Sequence, residues 1–378
     1  MAHRLRKGRL GSWIGYLLSF VFGVLLAFAG YHYLTRGKPL SPEDFRRQVF
    51  LVDQIVHSQL YEIGIQKKSV LLHQSSLKKE GGLAWKQSSL KVQVLPPLSF
   101  SLIEGKFRQS LSALGKTVSI QSSQKTKSLH LEVKVLDRIT HQVTFVSSTP
   151  SPLRTGLHPR VSIVIDDLGG EDKISQELLR WDVPITFSIL PFAAYSKTLA
   201  GEAHRKGKEV ILHLPMEPHG YPHTRPGEGV LLEAMDETRL LRQLAKDIEA
   251  VPYIKGVSNH MGSRLMGDPE KLRIVFLELK RRGLFFLDSR TTPQTVGLEV
   301  AQSVGLKAME RSLFIDHSSD EKDIKEKLEQ LIQSSLSTGK AIGIGHPHPS
   351  TLKSLKEMIP RIKEKGIDIV PLSTLMEE

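Results

Sequence analysis

The chain has 378 residues, no cysteine and a formal net charge of +12. The missing cysteines exclude a disulfide scaffold, a cysteine-ligated zinc or iron–sulfur site and a thiol nucleophile. A share of 40% hydrophobic and 24% charged residues excludes wholesale disorder. The basic balance favours anionic partners, but no zinc-finger or RNP-type signature accompanies it, which argues against nucleic acid.

Residues 1–12 form a basic flank with Arg4, Arg6, Lys7 and Arg9, and from Leu10 to Tyr31 no residue is charged. An uncharged apolar run of that length crosses a bilayer as a helix. Trp13, Tyr16, Tyr31 and Tyr33 lie near its two ends, where interfacial aromatics belong. The pattern predicts a single-pass transmembrane anchor over 13–34, basic side in the cytoplasm. Ala27-Phe28-Ala29 resembles a cleavage site, so a signal peptide is the alternative. On either reading the remainder is exported, to the periplasm if the cell is Gram-negative, with the anchor in the inner membrane.

Residues 41–146 read as a small α+β domain. Ser41 opens a helical pattern carrying Phe45, Val49, Val52, Ile55 and Val56. Leu90–Pro97 alternates as a strand, a second helix closes at Gly115, and the stretches LHLEVKVLDR and HQVTFV predict a terminal hairpin. His57, His73, His130 and His141 are scattered and form no constellation. Residues 147–160, rich in Pro, Ser and Thr, read as a linker.

Over 161–378 the texture changes. Seven short apolar runs (161–167, 185–191, 209–215, 255–261, 284–290, 341–349 and 367–372) alternate with amphipathic stretches, several closed by glycine. The pattern predicts an α/β fold, a distorted (β/α) barrel of about seven parallel strands. Polar residues collect where the runs end: Asp166 and Asp167; His213, with Glu217 beyond it; Asn259 and His260; Asp288 and Arg290; His346 and His348. In such barrels the C-terminal strand ends converge on the active site. Mixed imidazole and carboxylate suit a divalent metal, zinc first, with manganese, cobalt and nickel as alternatives. Asp167, His213 and His260 supply three ligands. Glu217 is a candidate fourth ligand or an orienting group, and Asn259 and His348 are further candidates. Asp166 is then free as a base toward water, and His346 as the acid for a departing amine. Arg290 is placed to pair Asp288 and hold it against a catalytic group.

The ordered motifs IDDLGG, HLPMEP, NHMGS, DSRTT and GHPHP resemble the divergent polysaccharide deacetylase family, over roughly Arg160 to Glu378. The resemblance implies a distorted barrel and metal-dependent removal of acetyl groups from N-acetylated sugars. It implies Asp166 as base, Asp167 and His213 as metal ligands and His346 as the late catalytic histidine. Glu217 stands where that superfamily has a second histidine. The expected partners are a polysaccharide or oligosaccharide substrate, the membrane through the N-terminal helix, and envelope proteins. The alternatives are an inactive barrel that binds glycan or an envelope protein, and a metal-dependent hydrolase of another ester.

Overall fold

The computed structural model describes residues 41–65, 69–95, 98–148, 158–170 and 172–377. The predicted anchor over 13–34, its flank and most of the linker lie outside the described residues. Among those described, no helix is long and apolar enough to cross a membrane.

The small unit begins with α1 (Pro42–Glu62), whose N-cap Ser41 accepts the Asp44 N–H, with Pro42 in the first turn where no N–H is needed. The chain continues through β1 (Val70–Glu80), β2 (Leu83–Val94), α2 (Phe100–Ser112), β3 (Val118–Lys125), β4 (Ser128–Val135) and β5 (Arg138–Ser147), in sheet order β1-β2-β5-β4-β3. The predicted hairpin is β4–β5, turning at Leu136 and Asp137, both at positive φ. Both helices cover one face of the sheet, with Phe45 edge-on to Trp85 and Phe107 edge-on to Phe145. β1 and β3 escaped the sequence reading because they are polar edge strands, almost wholly exposed, without an apolar alternation to mark them.

The second unit runs β6 (Arg160–Leu168), α3 (Asp172–Leu178), β7 (Thr186–Ile189), α4 (Ser196–Arg205), β8 (Glu209–Met216), α5 (Glu237–Ala250), β9 (Ile254–Met261), α6 (Pro269–Arg281), β10 (Phe285–Asp288), α7 (Gly297–Val304), β11 (Ala308–Glu310), β12 (Leu313–Phe314), α8 (Glu321–Thr338), β13 (Lys340–Gly345), α9 (Pro349–Glu364), β14 (Asp368–Ile369) and α10 (Leu372–Met376). The main strands pair in parallel in the order β11-β10-β9-β8-β7-β6-β13-β12. Two corrections to the predicted seven staves follow. The run at 367–372 is not a stave: β14 pairs two residues at the start of β6, and α10 plugs the floor, where Thr186 Oγ1 accepts the Leu372 N–H. The closing element is the bent segment 308–314, which carries no continuous apolar run. Arg311 donates its N–H to Asp288 O on the β10 side, and Ser312 donates its own to Ile342 O on the β13 side. The barrel is thus closed by one kinked backbone that pairs with β10 over three residues and with β13 over two.

Alternation along the strands decides which residues meet inside. Val161, Ile163 and Ile165 pack outward with the helices, whereas Val164, Ile211, Phe285, Leu287, Ile342 and Ile344 form the inner cluster. Continuing the same parity to the strand ends turns Asp166, His213, Ser258, His260 and His346 into the mouth. Gly256 on β9 pairs with Phe285 on β10, and a Cβ at Gly256 would stand 2.2 Å from the Phe285 ring. Gly256→Ala is therefore expected to destabilise the fold by about 1–3 kcal/mol through overpacking. A urea titration checks this, with a lower midpoint at unchanged slope.

Candidate metal centre and catalytic rim

β6 carries an irregularity where its pairing with β7 jumps from Ile165–Phe187 to Leu168–Ile189, three residues on one strand against two on the other. Consecutive strand residues ordinarily point to opposite faces. The bulge, with Asp167 at φ 57°, re-aims the second carboxylate so that Asp166 and Asp167 both serve the mouth. Met261, just after His260, and Arg290 are also left-handed, at φ 53° and 49°. Non-glycine residues in this region cost on the order of 1–3 kcal/mol each and collect where a site needs them.

Asp167 Oδ1 lies 3.1 Å from His213 Nε2 and 2.9 Å from His260 Nδ1, and the two nitrogens are 3.1 Å apart. Among the described residues these three side chains form the group able to hold a metal ion. Zinc bonds of about 2.0–2.2 Å in a tetrahedron place ligand atoms about 3.4 Å apart, close to this triangle. Asp167 Oδ1 is buried without a hydrogen-bond partner, while His260 Nδ1 and His213 Nε2 meet each other, so the three atoms face a common point. Burial opposes the charge on Asp167, but both imidazoles outweigh it and hold the carboxyl well below the usual carboxylate range. The donor set fits a divalent cation with an open position.

His213 turns its Nδ1 toward Ser258 Oγ at 2.8 Å, and Ser258 Oγ meets Ser188 Oγ at 2.9 Å. Asp166 Oδ1 stands 3.5 Å from the same Nδ1, buried and without a hydrogen bond. The Ser258 contact orients the ring so that Nε2 faces Asp167 and His260. The sequence reading missed Ser258, although it stands two residues before His260 and so shares its face. Ser258→Ala is expected to weaken zinc affinity about 10–100-fold with the fold retained, as measured by competition with a chelator.

His346 at the end of β13 is held from behind by Asp316. Its Nδ1 lies 2.9 Å from Asp316 Oδ1, its backbone N–H donates to Asp316 Oδ2 at 2.5 Å, and Thr351 Oγ1 donates to Oδ2 at 2.8 Å. Burial works to lower the His346 pKa, but Asp316, with Asp166 and Asp167 adding their charge, raises it to about 9. Asp316 was also missed. It lies two residues beyond β12, a two-residue strand too short to advertise a strand end.

The remaining predicted residues stand elsewhere. Asp288 does not face the site: it lies one residue beyond inward-facing Leu287, so its carboxylate turns outward and accepts from Thr295 Oγ1 and from the Arg290 backbone N–H, both at 2.7 Å. Burial pushes its pKa up. The predicted side-chain pairing of Arg290 with Asp288 is replaced by Glu310, 3.4 Å from Arg290 Nε. Glu217 turns from the triad to the Glu233 N–H at 2.7 Å and to Arg264 at 3.5 Å. Asn259 stitches strand ends, accepting the Ser289 N–H at 2.8 Å and donating to Met261 O at 2.9 Å. His348 is exposed at the start of α9.

Residues 163–376, more than half of the chain and all within the barrel unit, match the family described as divergent polysaccharide deacetylase. The chain belongs to that family. It is similar to the uncharacterized protein YibQ of Escherichia coli, with 33% identity over 229 residues, covering 60% of this chain and 70% of that protein. An uncharacterized protein of Haemophilus influenzae is 29% identical over 216 residues, covering 57% and 76%. Among solved structures, an uncharacterized protein of Agrobacterium tumefaciens superposes with a TM-score of 0.56 at 27% identity, covering 60% of this chain and 92% of that one. Membership of the deacetylase family accords with the α/β barrel and with a cluster of aspartate and histidine at its mouth.

Proposed function

We propose that the chain is an exported, membrane-anchored, metal-dependent hydrolase that removes acetyl groups from N-acetylated sugars of an envelope polysaccharide. The observation that carries the reading is the convergence of Asp167 Oδ1, His213 Nε2 and His260 Nδ1 within 3.1 Å of one another, on the rim shared by Asp166 and His346. A divalent ion held by these three, zinc first, would supply Lewis acidity toward the acetyl carbonyl and toward water. The protein's own residues handle the protons. Asp166 has a buried oxygen with no hydrogen bond and takes the proton of the attacking water. His346, its Nδ1 occupied by Asp316, offers Nε2 to the amide nitrogen and delivers a proton as the C–N bond breaks. Acetate and a free amine result.

Beyond β9, Gln54, His219, Glu233, Arg264, Asp268 and Gln294 line an open cleft of about 600 Å³, within the roughly 300–1,000 Å³ range of ligand clefts. Its amides and charged groups suit sugar hydroxyls, which supports a glycan substrate. The uncharged run from Leu10 to Tyr31 behind a basic flank supports export and anchoring. The test is acetate release from N-acetylglucosamine oligomers by the zinc-loaded full chain. Asp166→Asn is expected to lower turnover about 10²–10⁴-fold while zinc stays bound. Absence of acetate from the zinc-loaded wild type would overturn the reading.

A further inference from the structure

The small unit meets the barrel at its seam. Tyr61, in the last turn of α1, has the Arg290 guanidinium carbon 4.9 Å and the Arg311 guanidinium carbon 4.7 Å from its ring centroid. Arg311 in turn lies 3.8 Å from the Phe314 centroid, and the Phe314 ring is 5.7 Å from the His346 ring. Around this column the backbone of the same turn is engaged: Ile65 O accepts from Arg290 Nη1 at 3.5 Å, and Gly64 lies against Ser312 O. Arg311 also donates to Ser289 O and Arg290 O, at 2.5 and 3.1 Å. The segment that Tyr61 contacts, 311–316, is therefore the one that holds His346 on two sides, by the Phe314 ring and by the Asp316 carboxylate.

We propose that Tyr61 is a positioning residue for His346, through Arg311, Phe314 and Asp316, so that the small α+β unit completes the site at the mouth of the barrel. The physical reason lies in the seam. A strand paired on both sides along its length has its position set by ladders, but 308–314 pairs with β10 over only three residues, changes partners at Arg311 and Ser312, and pairs with β13 over only two. Side-chain packing therefore adds to these short ladders in setting its position, and two like-charged guanidiniums beside it repel. The π face of Tyr61 attracts both, and so offsets that repulsion. The hydroxyl contributes less: Tyr61 Oη is buried with no hydrogen-bond partner of good geometry. The ring, not the phenol, is the working part.

The consequence for catalysis rests on the deacetylase reading; the consequence for His346 does not. The experiment uses the full chain in detergent micelles, with Tyr61→Ala, Tyr61→Phe and, to keep the volume filled, Tyr61→Leu. The His346 imidazole NMR signal, assigned by its loss in His346→Gln, is recorded at fixed pH beside zinc affinity and acetate-release kinetics. Tyr61→Ala is expected to move the His346 signal and to lower kcat about tenfold or more at near-constant KM, as a displaced catalytic group does, with zinc affinity unchanged. Tyr61→Leu should act in the same direction, and Tyr61→Phe should match the wild type in every readout. A His346 signal unmoved in folded Tyr61→Leu or Tyr61→Ala would overturn the proposal, as would a Tyr61→Phe variant as impaired as Tyr61→Ala. A wild type that releases no acetate would defeat the deacetylase reading alone, and the His346 signal would still decide the coupling.

Discussion

Zinc-saturated protein is expected to hold about one ion per molecule at the triad, and His213→Ala to hold none. His213 is the ligand whose loss does most damage. Its Nε2 is the corner that lies 3.1 Å from both other donor atoms, and its Nδ1 is the one anchored by Ser258. Without it, one carboxylate and one imidazole remain, short of the three protein ligands that a catalytic site uses. Elemental analysis of dialysed wild type and variant reads the stoichiometry. Thermal melts give a second measure, because a ligand that binds only the folded state adds about 2.7 kcal/mol of apparent stability at a hundredfold excess over its Kd. Wild type should therefore melt higher with zinc than after chelation, and His213→Ala should melt alike in both. Wild-type protein with no ion after incubation with zinc, manganese, cobalt and nickel would sink the metal centre, and with it the hydrolase. The inactive glycan-binding barrel would then be the better account.

The barrel and most of its mouth were legible because two periodicities coincide. Apolar runs separated by glycine-closed amphipathic stretches announce parallel strands and helices, and polar residues at the run ends announce the face where chemistry sits. Asp166, Asp167, His213, His260 and His346 follow from that rule, and all five lie at the mouth. Asp288 illustrates its limit. A strand end carries residues of both parities, and only alternation counted back from Leu287 reveals that Asp288 turns outward. Glu217 lies beyond its strand in a proline-bounded loop, where neither period operates, and there its nearest cation, Arg264, decides its direction. Asp316, Arg311 and Phe314 were invisible for a third reason. Their segment is held by packing and by two short ladders on opposite sides, three residues with β10 and two with β13, too short to need a repeating pattern in its sequence. The contact of Tyr61 with that segment joins residues 250 positions apart, roughly, in a chain whose small unit has its own separate core.

Asp316→Asn is expected to move the basic limb of the pH–rate profile to lower pH, toward the ordinary histidine value near 6.5. The sign follows from what His346 must do. As general acid it works protonated, so activity is lost as pH rises through its pKa. In wild type Asp316 raises that pKa, although burial opposes it, and the imidazole keeps its proton across neutral pH. A cation on Asp167 cancels the share contributed by the aspartate pair but leaves the direct Asp316 contact intact. With an amide at 316, about one His346 in thirty would be protonated at pH 8, and the variant should recover as the medium is made more acidic. Stability shifts in the same sense. The folded pKa lies above the unfolded one, so the His346–Asp316 pair stabilises fully below about 6.5 and loses its contribution as pH rises through about 9. The variant should therefore lose most stability at acidic to neutral pH and approach wild type above about 9. Acetate-release profiles and urea midpoints across pH 5–10 check both halves. A basic limb that stays at the same pH in Asp316→Asn would remove His346 from the role of acid, because no other contact on the imidazole substitutes for a carboxylate at 2.9 Å.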